Sequence, residues 1–151
     1  MTSLAELLAD HHQHCDRLFS ACEEAALADR WPAATAGFAA FRNALASHFA
    51  AEEALLFPAF EAATGTVDGP TRVMRFEHGQ MREILDEMAA ALASQQREGF
   101  AGLAEALLIL MQQHNMKEEN ILYPMCDRIL AAQAPDLVAG LAQALETPCP
   151  A

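Results

Sequence analysis

Apolar residues recur along the chain at spacings of three and four, the pattern of helices that bury one face. Five helices are predicted in this way, four of them over residues 3–28, 33–57, 70–94 and 136–146. The fourth helix in chain order follows a loop ending near Gly102, and its buried stripe includes Leu107, Ile121 and Met125. Pro58 and Pro124 are expected to end or kink the helices that carry them, because proline lacks an N–H donor. Four long helices with mostly short connections predict an all-α fold, an antiparallel up-down-up-down four-helix bundle, with a short extra C-terminal helix across its outside.

A chain of 151 residues fits one domain, which we place at residues 1–147, with a tail at 148–151. The net charge of −12 argues against a nucleic acid or an anionic membrane as partner. No apolar run reaches the roughly 18 residues of a membrane span, and no export signal is recognisable, so a cytoplasmic location is expected. Cys15 and Cys22 lie too far apart along one helix for a disulfide, and reduced thiols are predicted.

Two segments of the chain resemble each other. HFAAEEALLFP at 48–58 and HNMKEENILYP at 114–124 share His-x3-Glu-Glu, followed by an aromatic residue and a proline. Their offset, 114 − 48 = 66, also relates His12 to His78 and the apolar residues around them. The chain is therefore predicted to be a tandem pair of helical hairpins related by an approximate two-fold axis.

The register of this repeat selects one histidine from HHQH near the N-terminus. His12 lies on the apolar stripe of its helix and has a histidine, His78, at the matching position. His11 corresponds to Glu77, and His14 also corresponds to a polar residue. We expect His11 and His14 to flank the site or to face solvent.

Six imidazole and carboxylate groups are predicted to meet inside the bundle and to bind metal. Residues four apart share one helix face, so each His-x3-Glu pair can aim two ligands at one point. Burying carboxylates and imidazoles together is costly unless cations neutralise them. Such ligands suit iron, manganese or zinc, whereas the lack of a matched thiolate disfavours structural zinc and iron–sulfur clusters. A buried, hydrogen-bonded polar core without metal is the alternative. The candidate ligands are His12, His48, Glu52, His78, His114 and Glu118.

The residues beside these candidates are interpreted more simply. Methionines at helical spacing are predicted to fill the core rather than to bind copper. Glu53 and Glu119 follow the presumed ligands by one position and point about 100° away, so we expect them to be solvated or to orient a histidine. Glu77, beside His78, is considered as an additional metal ligand. Tyr123 corresponds to Phe57, which favours a packing role for its ring.

The paired motif, in a stretch from about Leu4 to Leu130, resembles the hemerythrin-like, or HHE cation-binding, family. The resemblance implies two iron ions joined by an oxo or hydroxo bridge, for which manganese or zinc can substitute. It also implies that Glu52 and Glu118 bridge the ions and that the four histidines are terminal ligands. Oxygen-carrying hemerythrins use five histidines, one glutamate and one aspartate. This chain offers one ligand fewer, which leaves more positions for water, oxide or substrate.

The first functional interpretation is a non-haem di-iron protein that binds or senses oxygen, nitric oxide or peroxide during oxygen or nitrosative stress. A redox partner protein would then supply or accept electrons. The alternative is a di-iron enzyme with peroxidase- or nitric-oxide-reductase-like activity, or iron donation for iron–sulfur cluster repair. A ferritin-like oxidase is disfavoured, because that family places Glu-x2-His pairs on its helices and uses more glutamate.

Overall fold

The computed structural model describes residues 2–147, and every regular element in that range is a helix. The first helix, α1, spans Leu4–Leu27. It begins with a capping box, in which the Ser3 hydroxyl accepts the N–H of Glu6 and the Glu6 carboxylate accepts the N–H of Ser3. The second helix, α2, spans Trp31–Ala51 and carries proline in its first turn, where no intrahelical N–H is needed.

The helix that contains Pro58 does not end there, so the predicted end near residue 57 is wrong. A π-helical turn, Glu52–Leu56, follows α2 directly, and α3 then spans Phe57–Thr64. A π turn is wider than an α-helical turn, and this one lies just before Pro58. In a regular α-helix the proline ring would clash with the turn that precedes it. The chain therefore keeps its helical course through the proline, and a left-handed Gly65 ends it.

The second half of the chain repeats this organisation. Helix α4 spans Pro70–Ala93, α5 spans Arg97–Lys117, a second π turn covers Glu118–Leu122, and α6 spans Tyr123–Ile129. The repeat extends to the turns between helices, because Asp29 and Gln95, which are 66 positions apart, both adopt positive φ angles, of 58° and 53°. The two halves of the predicted duplication thus match in backbone conformation as well as in sequence.

Two boundaries in the second half differ from the sequence prediction. Helix α5 begins at Arg97, not after a loop ending near Gly102, because burial of Phe100 and Ala104 outweighs the low helix propensity of the intervening glycine. Ile121 was placed on the buried stripe, but it is 57% exposed, whereas Leu122 is 2% exposed. The π turn adds a residue to that turn and so shifts the buried position by one.

Helix α7 spans Ala134–Glu146, after a short 3₁₀ turn at Ala131–Gln133, and it packs against α1, α2 and the first π turn. The apolar core forms two clusters. One contains Phe19, Phe41, Met88 and Leu107, and the other contains Leu4, Leu8, Phe57, Leu122 and Leu141. The predicted site residues lie between the two clusters, with His12 between Leu8 and Cys15 and His78 between Met74 and Met81. A polar layer therefore divides the apolar interior.

The prediction of an all-helical bundle is confirmed, and a short helix is present near the C-terminus, where one was predicted. Within residues 2–147, no helix is both long enough and apolar enough to cross a membrane. Cys15, Cys22 and Cys126 are buried free thiols, as predicted. Cys149 and the predicted tail at 148–151 lie outside the described residues.

Candidate metal centre

The six predicted ligands meet in the polar layer between the two apolar clusters. Each is almost fully covered, since His12 is 4% exposed and the others are 1% exposed or less. Their atoms form two groups, in each of which the candidate ligand atoms all lie within 4.8 Å of one another. The first group is Glu52, His78, His114 and Glu118, and the second is His12, His48 and Glu118.

The two glutamates lie between the histidines of the two groups. Glu118 Oε1 is 3.1 Å from Nε2 of His12 and 3.2 Å from Nε2 of His114. Glu52 Oε1 is 3.6 Å from Nε2 of His48 and 3.2 Å from Nε2 of His78. Each carboxylate thus lies between two histidines, one on each side of it. A carboxylate that joined two cations would occupy the same position.

Four buried polar atoms of the first group test whether the residues fit a metal. Among the described residues, Nε2 of His78 and of His114 and one oxygen of each glutamate have no hydrogen-bond partner. The histidine nitrogens are only 3.2 Å from carboxylate oxygens, yet they are not oriented for hydrogen bonding. Leaving buried polar groups unpaired costs about 1–3 kcal/mol each. A cation bound to these four atoms would remove that cost, so the donor set fits a metal ion.

Every histidine predicted to be a ligand has a partner at its other ring nitrogen. The Nδ1 atoms of three of them lie 2.7–2.8 Å from carboxylate oxygens: His12 beside Glu119, His78 beside Glu53 and His114 beside Glu77. The Nδ1 atom of His48 instead lies 2.9 Å from that of His11. Such partners hold an imidazole ring in place and keep Nε2 free to bind a metal.

The neighbouring residues can now be assigned. Of the two alternatives for Glu53 and Glu119, orientation of a histidine is the one the structure bears out. Glu77 pairs with His114 and Lys117 and belongs to neither candidate ligand group, so its contacts favour orientation of His114 over a role as an extra ligand. His11 flanks the site, as expected, and its contact with His48 gives it a definite role.

Sequence reasoning missed the hydroxyl of Tyr123, which was assigned to packing. The hydroxyl oxygen lies 2.7 Å from Glu52 Oε2, 3.0 Å from Glu118 Oε1, and 3.2 Å from Nε2 of both His12 and His48. The difference between tyrosine and phenylalanine at matched positions was visible in the repeat. This difference favours packing as the role that the two rings share, and it also marks a position at which the two halves are chemically unlike.

The charges of the site favour bound cations or protons. Burial alone would lower the pKa of His114, but the close approach of Glu118 and the negative charges of Glu118 and Glu52 raise that pKa to about 9. Burial would raise the pKa of Glu53, but hydrogen bonds from His78 and Arg82 lower it to about 2. Carboxylates that hold protons on the histidines of the metal-free protein also attract metal ions, which displace those protons.

These features define the chain as an all-helical protein with a buried His/Glu cluster that is able to hold metal. The sequence model of one protein family, described as the hemerythrin HHE cation binding domain, matches residues 3–126. The chain therefore belongs to the hemerythrin HHE cation-binding family, as the sequence motif indicated. Comparisons with curated proteins and with solved structures gave no significant match.

Proposed function

We propose that this protein binds two iron ions and uses them to bind or sense a small diatomic or peroxidic molecule, namely oxygen, nitric oxide or peroxide. The observation that carries the proposal is the contact of Glu118 with histidines of both groups, beside four buried polar atoms that lack partners. His12 and His48 would hold one ion, and His78 and His114 would hold the other. Glu52 and Glu118 would bridge them.

An iron pair held in this way would supply positions for a small molecule, and it would donate electrons for its reduction or accept electrons on its oxidation. The protein contributes orientation and exclusion of water. The ring of Phe49 stacks on His78 with centroids 3.9 Å apart, and Phe57 lies 5.7 Å from the same imidazole. Together with the carboxylate partners at Nδ1, these rings keep the ligand nitrogens aimed at the centre and the surroundings apolar.

His11, which is partly exposed, lies beside two hollows in the protein surface. Two hollows, of about 550 Å³ and 320 Å³, lie where α7 meets α1, and both are lined by His11, His14, Leu145 and Glu146. Because His11 contacts His48, a small molecule in these hollows is one side chain away from a proposed ligand. This proximity supports access of a small molecule to the site from that side of the protein.

Metal analysis of the purified protein tests the two-ion proposal. We expect about two iron ions per chain, and at least one fewer after Glu52→Ala or Glu118→Ala, because each carboxylate serves both ions. Glu105→Ala is the matched control, since Glu105 is exposed on α5 and far along the helix from the cluster. Full iron content in both site variants would reject the bridging carboxylates, and bound manganese or zinc in place of iron would reject the metal assignment.

Absorption spectroscopy of the iron-loaded protein tests the proposed ligand. After anaerobic reduction, the spectrum is recorded with oxygen, with nitric oxide and with peroxide. A stable adduct that is reversed by removing the gas supports binding or sensing. Rapid catalytic consumption of peroxide or nitric oxide would instead support the enzymatic alternative.

We also propose that the four long helical segments run in alternating directions, because the linkers 28–30, 65–69 and 94–96 are too short for crossover connections. A cytoplasmic location is supported by the three buried free thiols, which are typical of a reducing compartment. Transfer of electrons to the centre would require a redox partner protein.

A further inference from the structure

The hydroxyl of Tyr123 is surrounded by the four side chains that would hold one of the two ions. It lies within 3.2 Å of both histidine Nε2 atoms and of one oxygen of each glutamate. An ion bound to those four atoms has to contact the phenol oxygen, unless the tyrosine ring moves away. Nε2 of His78 and Nε2 of His114, by contrast, have no hydrogen-bond partner among the described residues, the Tyr123 hydroxyl included.

The ring of Tyr123 is held in place. The side chain is 0% exposed, and it stacks on His12 with centroids 5.6 Å apart and planes 26° apart. Its backbone is held as well, because the Tyr123 N–H donates to the carbonyl of Glu118 across the second π turn. Withdrawal of the ring from the site would therefore disturb close packing and a helix. Keeping the hydroxyl at the site costs less free energy than moving the ring away.

The matched residue in the other half shows that ring and hydroxyl have separable roles. Phe57 lies 66 positions before Tyr123 and stacks on His78 with centroids 5.7 Å apart and planes 25° apart. These values nearly equal those of Tyr123 on His12. The ring is thus common to both halves and serves packing, whereas the hydroxyl occurs in one half and is not required for it.

We propose that Tyr123 is a fifth protein ligand, as phenolate, of the ion held by His12 and His48, so that the two ions have unequal surroundings. The proposal rests on the proposed two-iron function. Metal binding would release the phenol proton to solvent and form a metal–oxygen bond, with no change in oxidation state. Phenolate is an established ligand of ferric iron in proteins. The ion held by His78 and His114 would then keep more positions for an external molecule.

The visible spectrum of the ferric protein tests this inference. Phenolate bound to ferric iron gives a charge-transfer band in the visible region, and excitation into that band enhances the vibrations of the tyrosine ring in resonance Raman spectra. Tyr123 is the only tyrosine of the chain, so such a signal has one source. Tyr123→Phe is the matched variant, because it keeps the stacked ring of the Phe57 type. Iron content is measured in both proteins.

We expect the band and the enhanced ring vibrations in the parent protein and their complete loss in Tyr123→Phe, which should still bind iron through the remaining histidines and glutamates. A parent protein that holds two ferric ions but shows no tyrosine vibrations would overturn the ligand assignment and leave the two-iron proposal intact. A parent protein that binds no iron would overturn both. A band that persists unchanged in Tyr123→Phe would also overturn the assignment, since it would arise from another ligand.

Discussion

The Nδ1 atom of His11 lies 2.9 Å from the Nδ1 atom of His48. If Nε2 of His48 binds a metal, Nδ1 carries the proton and donates it to His11, which accepts through an unprotonated Nδ1. Burial and the neighbouring histidines His48 and His14 lower the pKa of His11 to about 3, so its ring is neutral and able to accept. His11 thereby takes the place that Glu77 takes beside His114 in the other half.

We predict that His11→Ala weakens binding of the ion held by His48 about 10-fold, because loss of an orienting partner typically costs 10- to 100-fold in metal affinity. Competition with a chelator of known affinity measures the change. His14→Ala is the control, since His14 is exposed and next to His11 in space but makes no contact with a proposed ligand. Equal affinities for the parent and His11→Ala would contradict an orienting role.

Removal of metal should destabilise the fold, because six buried polar groups then lose their neutralising cations. At a free metal concentration about 100 times the dissociation constant, a bound ion contributes about 2.7 kcal/mol. For a chain of this size that corresponds to a lowering of Tm by roughly 5–10 °C on chelation. Scanning calorimetry with and without chelator measures it. Glu118→Ala should show a clearly smaller shift, and a shift of equal size there would count against the centre as its source.

Truncation of the two neighbouring residues in the second π turn should lower stability by very different amounts. Leu122→Ala removes a side chain that is 2% exposed and should cost about 2–5 kcal/mol of unfolding free energy. Ile121→Ala changes a side chain that is 57% exposed and should cost less than about 0.5 kcal/mol. Denaturant titration of both variants measures the difference. The reverse order would mean that the turn is α-helical, as the sequence periodicity predicted.

The carboxylate of Glu61 links α3 to α4 and should make stability depend on pH. The Thr71 hydroxyl and the Arg75 guanidinium donate to it at 2.7 Å and 3.2 Å. Burial would raise the pKa of Glu61, but these hydrogen bonds hold it below its ordinary value of 4.5. A lowered folded-state pKa contributes stability above pH 4.5, and that contribution is lost as the pH falls through the folded-state value.

Glu61→Gln should therefore lower the unfolding free energy by about 1 kcal/mol at pH 7 and by progressively less below pH 4. Denaturant titration of the metal-free proteins across pH measures this. Asp68→Asn serves as the control, because Asp68 pairs with Arg72 in a contact where both side chains are 73% exposed, and such a pair contributes little. A cost of Glu61→Gln that is constant from pH 7 to pH 3 would contradict the role of its charge.

The amino-acid sequence by itself was sufficient to identify the helices and the six residues that meet in the centre. Helical periodicity depends on residues three and four apart, so it can be seen without a structure. The duplication added a second, independent test, because it selected His12 from its histidine neighbours and paired it with His78. The periodicity is local, and the duplication repeats at a constant offset, so both can be recognised in the sequence and both are present in the fold.

Only the tertiary structure decided which side chains hold the histidines and where the hydroxyl of Tyr123 lies. Glu119 and His12 are 107 positions apart, and Tyr123 and Glu52 are 71 apart, on segments that meet only after the helices pack. The π turn that moved the buried position from Ile121 to Leu122 also lies outside a regular 3.6-residue period. Contacts between distant segments depend on the crossing and rotation of whole helices, and no spacing within one helix encodes them.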